Sequence, residues 1–366
     1  DACASWSGKV SRTGALLVTV DSAIQHWQEQ IKGALAEGKR LRIRGAGSKD
    51  FLGEVGAFDE DINTQSHQGI IEYAPTELVM TVRAGTPLAT VKAVLAEQRQ
   101  YWPCDPPTFG GAGTVGGAIA AGVSGPGRVA HGAVRDLVLG VGMINGAGQA
   151  LKFGGQVMKN VAGYDVSRLM SGSFGTLGLI TDVSFKVLPL PEAEVTVVRS
   201  ETLEQAHERF LQISRLPLPC SASAWFEGAS YLRFSGSNAG VEDARQTIGG
   251  DVVIADIWSQ IRDHQLDAFA AAKTVWRISV PPGSQAMLSQ CSLLEWSGAQ
   301  RWLLDPDIDP RSTLSEGHAT LFRAPVTDQT QRFQPLSAVV GGIHKRLKHQ
   351  FDPQGIFNPG RLYQEI

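Results

Sequence analysis

The chain has 366 residues, 43% of them hydrophobic, 33 basic against 36 acidic side chains, and a formal net charge of -3. This is enough chain for a sizeable core in two domains, or in one domain with an added cap, and the charge balance excludes the basic surface that a nucleic acid partner needs. The cysteines, Cys3, Cys104, Cys220 and Cys291, form no CxxC pair, so no iron–sulfur or structural zinc site is expected, and no apolar run is long enough to span a bilayer.

Residues 1–14 lack the basic start and apolar core of a secretory signal and are read as a leader or remnant, with the fold beginning near residue 15. Residues 21–37 place Ile24, Trp27, Ile31 and Leu35 at helical spacing, with Gly38 as the stop. A strand in KRLRIR then runs into GAGSKDFLG, and GIIEYAP and ELVMTVRAGT read as strands before a second amphipathic helix, PLATVKAVLAEQ. These pieces predict an α+β subdomain ending near residue 100.

After that strand, successive amides over Gly45, Ala46, Gly47 and Ser48 can share one concavity and hold an anion such as a pyrophosphate, with Arg44 and Lys49 at the rim. The spacing is neither a P-loop nor the Rossmann GxGxxG, which disfavours a nicotinamide dehydrogenase. Residues 106–127 contain eight glycines interleaved with Val115, Ile119 and Val123, which gives the segment an apolar side and separates it from a flexible linker. Gly172, Gly175 and Gly178 make a third system, within a mixed sheet expected over residues 105–190. Ordering three glycine systems is costly without a ligand, and their extent points to a dinucleotide rather than a small metabolite.

A hinge at PLPEAE (189–194) leads to alternating strand and helix patterns that predict a ferredoxin-like βαββαβ cap over 191–330. The tryptophans of 220–305 suit either its core or a partner interface. Residues 331–366 read as a helix and a tight turn.

RIRGAGS, GTVGGAIAAGVSGP, GAVRDLVLG and KNVAGYDVSRLMSGSFGTLGLITDVSFKVLPLP resemble the FAD-binding domain of the vanillyl-alcohol oxidase (PCMH) type. With GHATLFR and FDPQGIFNPGR, the chain is similar more narrowly to a family of FAD-binding subunits of bacterial glycolate oxidases (glycolate dehydrogenases). The resemblance runs from about residue 21 to the C-terminus and implies an α+β fold: a two-subdomain FAD-binding domain over 15–190, divided near 100–105, then the cap and a C-terminal segment returning to the flavin.

It also implies that Arg44 to Lys49 bind the pyrophosphate of FAD, and that Pro106, Thr114, Gly116, Gly117, Ala118, Ala121, Ser124 and Gly125 run beside the flavin and its ribityl chain. Gly178 and Ile180 would meet the adenosine half, Lys159, Asn160 and Tyr164 match a family segment near the domain's core, and Asn358 lies in the returning turn. The related D-lactate and D-2-hydroxyglutarate dehydrogenases carry Asn and Thr where this chain has Ala118 and Ala121. They also carry a histidine-rich metal motif that is absent here, so no metal site is expected.

Oxidising a 2-hydroxy acid needs a cation for the carboxylate and a base for the hydroxyl proton. Arg277 and Arg323 are the candidate clamp and His318 the candidate base. Cys104 is a candidate for covalent flavin attachment, against non-covalent FAD. The resemblance further implies a larger related FAD subunit and an iron–sulfur subunit as partners, glycolate as substrate, and a cytoplasmic location with peripheral contact to the membrane through the complex. A self-sufficient 2-hydroxy-acid dehydrogenase and a mainly structural subunit remain the alternatives.

Overall fold

The computed structural model describes residues 22–155 and 164–366. Trp27, Ile31 and Ala34 form the buried stripe of the first helix, Ser22–Glu37. It covers the parallel pair β1 (Leu41–Arg44) and β2 (Glu60–Asn63), where Leu41 and Ile62 are fully buried. Ile24 and Leu35, expected on the same stripe, pack only at its margin.

β3 (Ile70–Ala74), β4 (Val79–Arg83), the two-residue β5 (Gln100–Tyr101), β6 (Val138–Ile144), β7 (Ala150–Gly154), β8 (Leu179–Lys186) and the two-residue β9 (Leu188–Pro189) follow. Five of these form an antiparallel sheet ordered β3-β4-β8-β6-β7. Central β8 is buried along nearly its whole length, so its sequence lacks the alternation of a half-exposed strand. The helices Leu88–Glu97 and Val115–Ala121 close one face through Val91, Leu95, Val115, Ala118 and Ile119.

This sheet crosses the subdomain division expected at residues 100–105. β4 pairs with β8 from Val79↔Lys186 to Arg83↔Asp182, joining strands about a hundred residues apart into one layer.

β10 (Ala193–Ser200), β11 (Cys220–Phe226), β12 (Ala229–Gly236) and β13 (Asp251–Val253) take the order β13-β10-β12-β11, with helices Leu203–Ile213 and Asn238–Ile248 as the two crossovers. That is the ferredoxin-like arrangement. β14 (Val275–Ser279), β15 (Leu293–Glu295), β16 (Gln300–Leu304) and β17 (His318–Arg323) extend it to eight strands in the order β11-β15-β16-β14-β17. The second four repeat the first four's order in mirror image and meet them at β11 and β15. Their connections carry only short 3-10 turns, Leu288–Gln290 and Pro310–Ser312, in place of helices.

One face of this sheet, through Ala224, Leu293, Trp302, Val275 and Phe322, packs against Leu52 and Val123 of the first domain. Trp258, Trp276, Trp296 and Trp302 are buried and Trp225 is half-buried against the Val197–Phe210–Leu232 cluster, so these tryptophans serve packing.

The last helix, Ala338–Phe351, and the segment after it are fastened by a buried cation. Lys348 Nζ donates to the carbonyls of Thr176 and Phe357 at 2.7 Å and to Asp352 Oδ2 at 2.8 Å. Asp352, fully buried, also accepts from the amides of Ile356 and Phe357. Phe357 then bridges to Leu41, which carries the C-terminal turn to the end of β1.

Candidate functional site

The chain leaves β1 at Arg44 and turns through Gly45, Ala46, Gly47, Ser48 and Lys49. None of the five backbone N–H groups of residues 45–49 has an acceptor among the described residues; the next donating amide is Asp50, to Gly47 O at 3.1 Å. These residues are half-buried at the mouth of a concavity, and five successive amides without protein acceptors there fit an anion. Gly47 has φ +77°, and a Cβ there would stand 2.4 Å from an Arg44 guanidinium nitrogen. Arg44 pairs with Asp50 at 2.6 Å across the loop, so its charge braces the turn.

Lys49 is the free cation of this loop. Its ammonium has no hydrogen bond or ion pair among the described residues and lies 5.8 Å from the Phe109 ring centroid. Burial lowers its pKa to about 8, opposed by the charge of Asp263.

Facing the loop is the N-terminus of the helix Val115–Ala121. Thr114 caps it, accepting from Gly117 N at 3.2 Å. Val115 N and Gly116 N are taken by Thr86 O and Ala84 O, so the free donors belong to the loop. A Cβ on Gly45 would come within 2.5 Å of Thr114 Oγ1, and one on Gly116 within 2.7 Å of Ala84 Cβ. The carbonyls at the helix end accept from Gly172 N and Phe174 N, which brings the third glycine system onto the same wall.

Two adjoining cavities share Ile43, Gly45, Gly117, Ala120 and Phe174 and form one groove. Gly45 through Lys49, Thr114, Ala121 and Asn358 line the first; Gly116, Gly178 and Ile180 line the second. A groove with unpaired amides along its wall fits FAD, with the pyrophosphate on residues 45–49.

Ala118 departs from expectation. It is fully buried in the core beneath the sheet and lines neither cavity. Pro106 is buried but lines neither cavity; its neighbour Pro107, with Ser124 and Gly125, lines a third one. Lys159 and Asn160 lie outside the described residues, and Tyr164 is 95% exposed. Asn358 uses its amide as a clasp, accepting from Ile43 N at 2.8 Å and donating to Phe174 O at 2.6 Å. Sequence reasoning missed Ala120, Phe174 and Arg361 on the groove wall. Phe174 carried a signal, lying between Gly172 and Gly175; Arg361 carried none.

The third cavity is bounded on its other side by the sheet face of β14–β17. Directly paired residues of an antiparallel ladder point to one face, so the register aligns Glu295, Gln300, Ser279 and His318 in one row and Leu293, Trp302, Arg277 and Thr320 in the next. Trp302 and Leu293 identify this as the face packed on the first domain. Arg277 has no hydrogen bond or ion pair among the described residues and lies 5.7 Å from the Phe322 ring centroid. Burial lowers its pKa to about 10, with the nearby Arg128 adding to the shift.

His318, at the start of β17, keeps an exposed edge; desolvation of the rest of the ring, then the charge of Arg277, lowers its pKa. The structure therefore brings Arg277 and His318 together. Arg323 is committed elsewhere, donating to the Phe269 carbonyl.

Cys104 is fully buried, and burial holds its thiol pKa well above the ordinary value. It is inert and closed to a flavin, which removes it as an attachment site. Among the described residues no cluster of His, Cys, Asp or Glu is disposed to hold a metal, and no helix is long and apolar enough to cross a membrane.

A family model described as an FAD binding domain matches residues 15–154. The chain is similar to glycolate oxidase subunit GlcE of Escherichia coli (strain K12), 43% identical over 343 residues that cover 92% of this chain and 97% of that protein. It is also similar to glycolate oxidase subunit GlcD of Bacillus subtilis (strain 168), 33% identical over 129 residues, 35% of this chain and 27% of that one. Among solved structures an alkyldihydroxyacetonephosphate synthase superposes with a TM-score of 0.63 at 16% identity, covering 92% of this chain and 74% of that one, a likeness of fold.

Proposed function

The chain belongs to the glycolate oxidase subunit GlcE family, and from that premise we propose that it is the FAD-binding redox subunit of a complex that oxidises glycolate to glyoxylate. The observation that carries the reading is the run of five unpaired amides at residues 45–49 beside the unpaired Lys49, in a groove whose walls admit no side chain at Gly45 or Gly116.

Bound there non-covalently, FAD supplies two-electron acceptance from a CH–OH carbon. The chain's own residues supply the rest. Residues 45–49 hold the diphosphate, the Thr114–Ala121 wall fixes the dinucleotide's long axis, and Arg277 offers the substrate carboxylate a buried, otherwise unpaired guanidinium. The packing of Trp302 and Phe322 between the layers keeps water out of the same region.

The electrons leave through partner subunits: a larger related flavin subunit and an iron–sulfur subunit, on the cytoplasmic face of the membrane, toward an acceptor such as quinone. Cys104, Cys220 and Cys291 are dispersed and two of them fully enclosed, which suits a chain that relies on a partner's cluster.

The test is a visible spectrum of the purified chain, repeated on supernatant and pellet after acid precipitation. A flavin spectrum released to the supernatant is the expected result. A protein that is colourless and stays so after incubation with FAD overturns the reading.

A further inference from the structure

Residues 105–113 lead from the first sheet to the groove-lining helix, and two of them hold backbone angles that a side chain disfavours. Asp105 has φ +38° and Phe109 φ +44°. Such conformations persist where the surroundings over-determine them, and they gather at ligand clamps. Here the surroundings are two consecutive residues of the cap, Arg262 and Asp263.

These two close the cap helix Ile257–Arg262, which is firmly seated. Ile257, Trp258 and Ile261 are buried in the layer between the domains, and Trp258 Nε1 donates to Thr196 Oγ1 at 2.8 Å. From the helix end, Arg262 Nη1 donates to both oxygens of Asp105 at 2.9 Å. Asp263 Oδ1 accepts from Thr108 N at 2.6 Å, from Thr108 Oγ1 at 3.2 Å and from Phe109 N at 3.0 Å. Asp263 Oδ2 accepts from Arg262 Nη2 at 2.6 Å and Nε at 3.1 Å, which joins the two grips into one unit. Asp263 is buried and Arg262 half-buried, and hydrogen bonds to an ionised group are stronger than neutral ones. The two strained residues are thus the ones that the cap holds.

What this clamp places is the Phe109 ring. Its centroid lies 5.3 Å from those of Phe51 and His264 and 6.0 Å from that of Phe322. The Lys49 ammonium stands 5.8 Å from the same centroid. At the other end of the loop, a Cβ on Gly113 would lie 3.6 Å from Lys49 Nζ. The loop therefore flanks the groove's lysine at both Phe109 and Gly113, and the next residue, Thr114, lines the groove itself. Between the two contacts, Gly110 and Gly111 supply a hinge. Both are exposed, at φ +115° and +89°, and a Cβ on either would meet nothing within 4 Å.

We propose that Arg262 and Asp263 are positioning residues for FAD, a latch by which the cap holds the 105–113 loop closed beside Lys49. FAD enters and leaves the groove when Thr108 and Phe109 leave Asp263 and the loop swings on Gly110 and Gly111. The proposal rests on the FAD binding proposed above. It gives a cofactor held without a covalent bond a barrier to escape, and it places that barrier in the cap rather than in the groove.

The test mixes deflavinated full chain with FAD by stopped flow and follows flavin fluorescence. The wild-type rate should level off as FAD concentration rises, because opening of the loop limits entry. Asp263→Ala removes the three bonds to Thr108 and Phe109. It should raise both the limiting rate and the rate of FAD release by roughly 10- to 100-fold, the loss of hydrogen bonds to a charged acceptor.

A wild-type rate that keeps rising in proportion to FAD overturns the proposal. So does an Asp263→Ala protein that exchanges FAD at wild-type rates, even where its urea midpoint falls, because a purely structural tie between the domains gives that result. Both outcomes require bound FAD and so differ from failure of the flavin reading, in which the fluorescence never changes. Should Asp263→Ala not fold, Phe109→Ala keeps the ion pairs of Arg262 and removes the ring beside Lys49. It should raise the same two rates, and unmoved rates overturn the proposal.

Discussion

Lys49 couples FAD affinity to pH in a direction that the groove dictates. With the groove empty, its pKa falls from 10.5 to about 8 because burial removes water that no acceptor replaces. A diphosphate beside the ammonium favours the charged form and drives the pKa back up. The protonated state therefore binds FAD more tightly, and binding takes up a proton once the pH exceeds about 8. The recovery from about 8 to 10.5 spans roughly 2.5 units, which at 1.36 kcal/mol per unit is about 3 kcal/mol of linked binding energy.

FAD affinity should thus be flat below about pH 8 and fall by up to about tenfold per unit above it. Lys49→Gln should abolish the slope and weaken binding at neutral pH by roughly 10- to 100-fold, the loss of one hydrogen bond to a charged group. Stability of the flavin-free protein should move the opposite way. A lysine whose folded pKa lies below its unfolded value makes the native state gain stability as pH rises between the two. Titrating deflavinated protein with FAD by isothermal calorimetry, in two buffers of different ionisation enthalpy, measures both affinity and proton uptake. Wild-type affinity that stays flat through about pH 9.5, or a Lys49→Gln protein with the wild-type pH profile, refutes the reasoning.

Other substitutions address the remaining parts of the site. Gly45→Val forces a Cβ within 2.5 Å of Thr114 Oγ1 and should cut bound FAD at least about tenfold, read from the 450 nm absorbance per chain, with far-ultraviolet circular dichroism unchanged. Asp352→Ala leaves the Lys348 ammonium buried without its counter-charge and should cost about 3–5 kcal/mol in urea unfolding. Arg277→Gln should leave FAD content intact while weakening inhibition by oxalate roughly 10- to 100-fold, the loss of one charge-assisted contact to a carboxylate.

The residues that bind by backbone were legible because glycine is itself the signal. GAGS after a β-branched strand announces free amides and a turn, whatever packs around it, and Gly45 and Gly47 do line the groove. The ferredoxin-like strand and helix alternation after residue 191 was readable for the same local reason. Which side of a short helix faces the ligand was not: Ala118 and Ala121 are the same residue type three positions apart, and only the packing under the sheet sends the first inward.

Groups that depend on strand neighbours were hidden altogether. Nothing local in SLLEWSGAQRWLL says that Glu295 and Trp302 meet, since that follows from the β15–β16 register. Nor does the sequence tell that β4 pairs with β8 or that Arg361 returns to the groove of Lys49. Backbone conformation is encoded within a few residues, so the chain alone determined the cofactor loops and the family. Burial, register and the pKa values they impose arise from distant segments meeting, so the tertiary structure alone decided which side chains face the bound molecules.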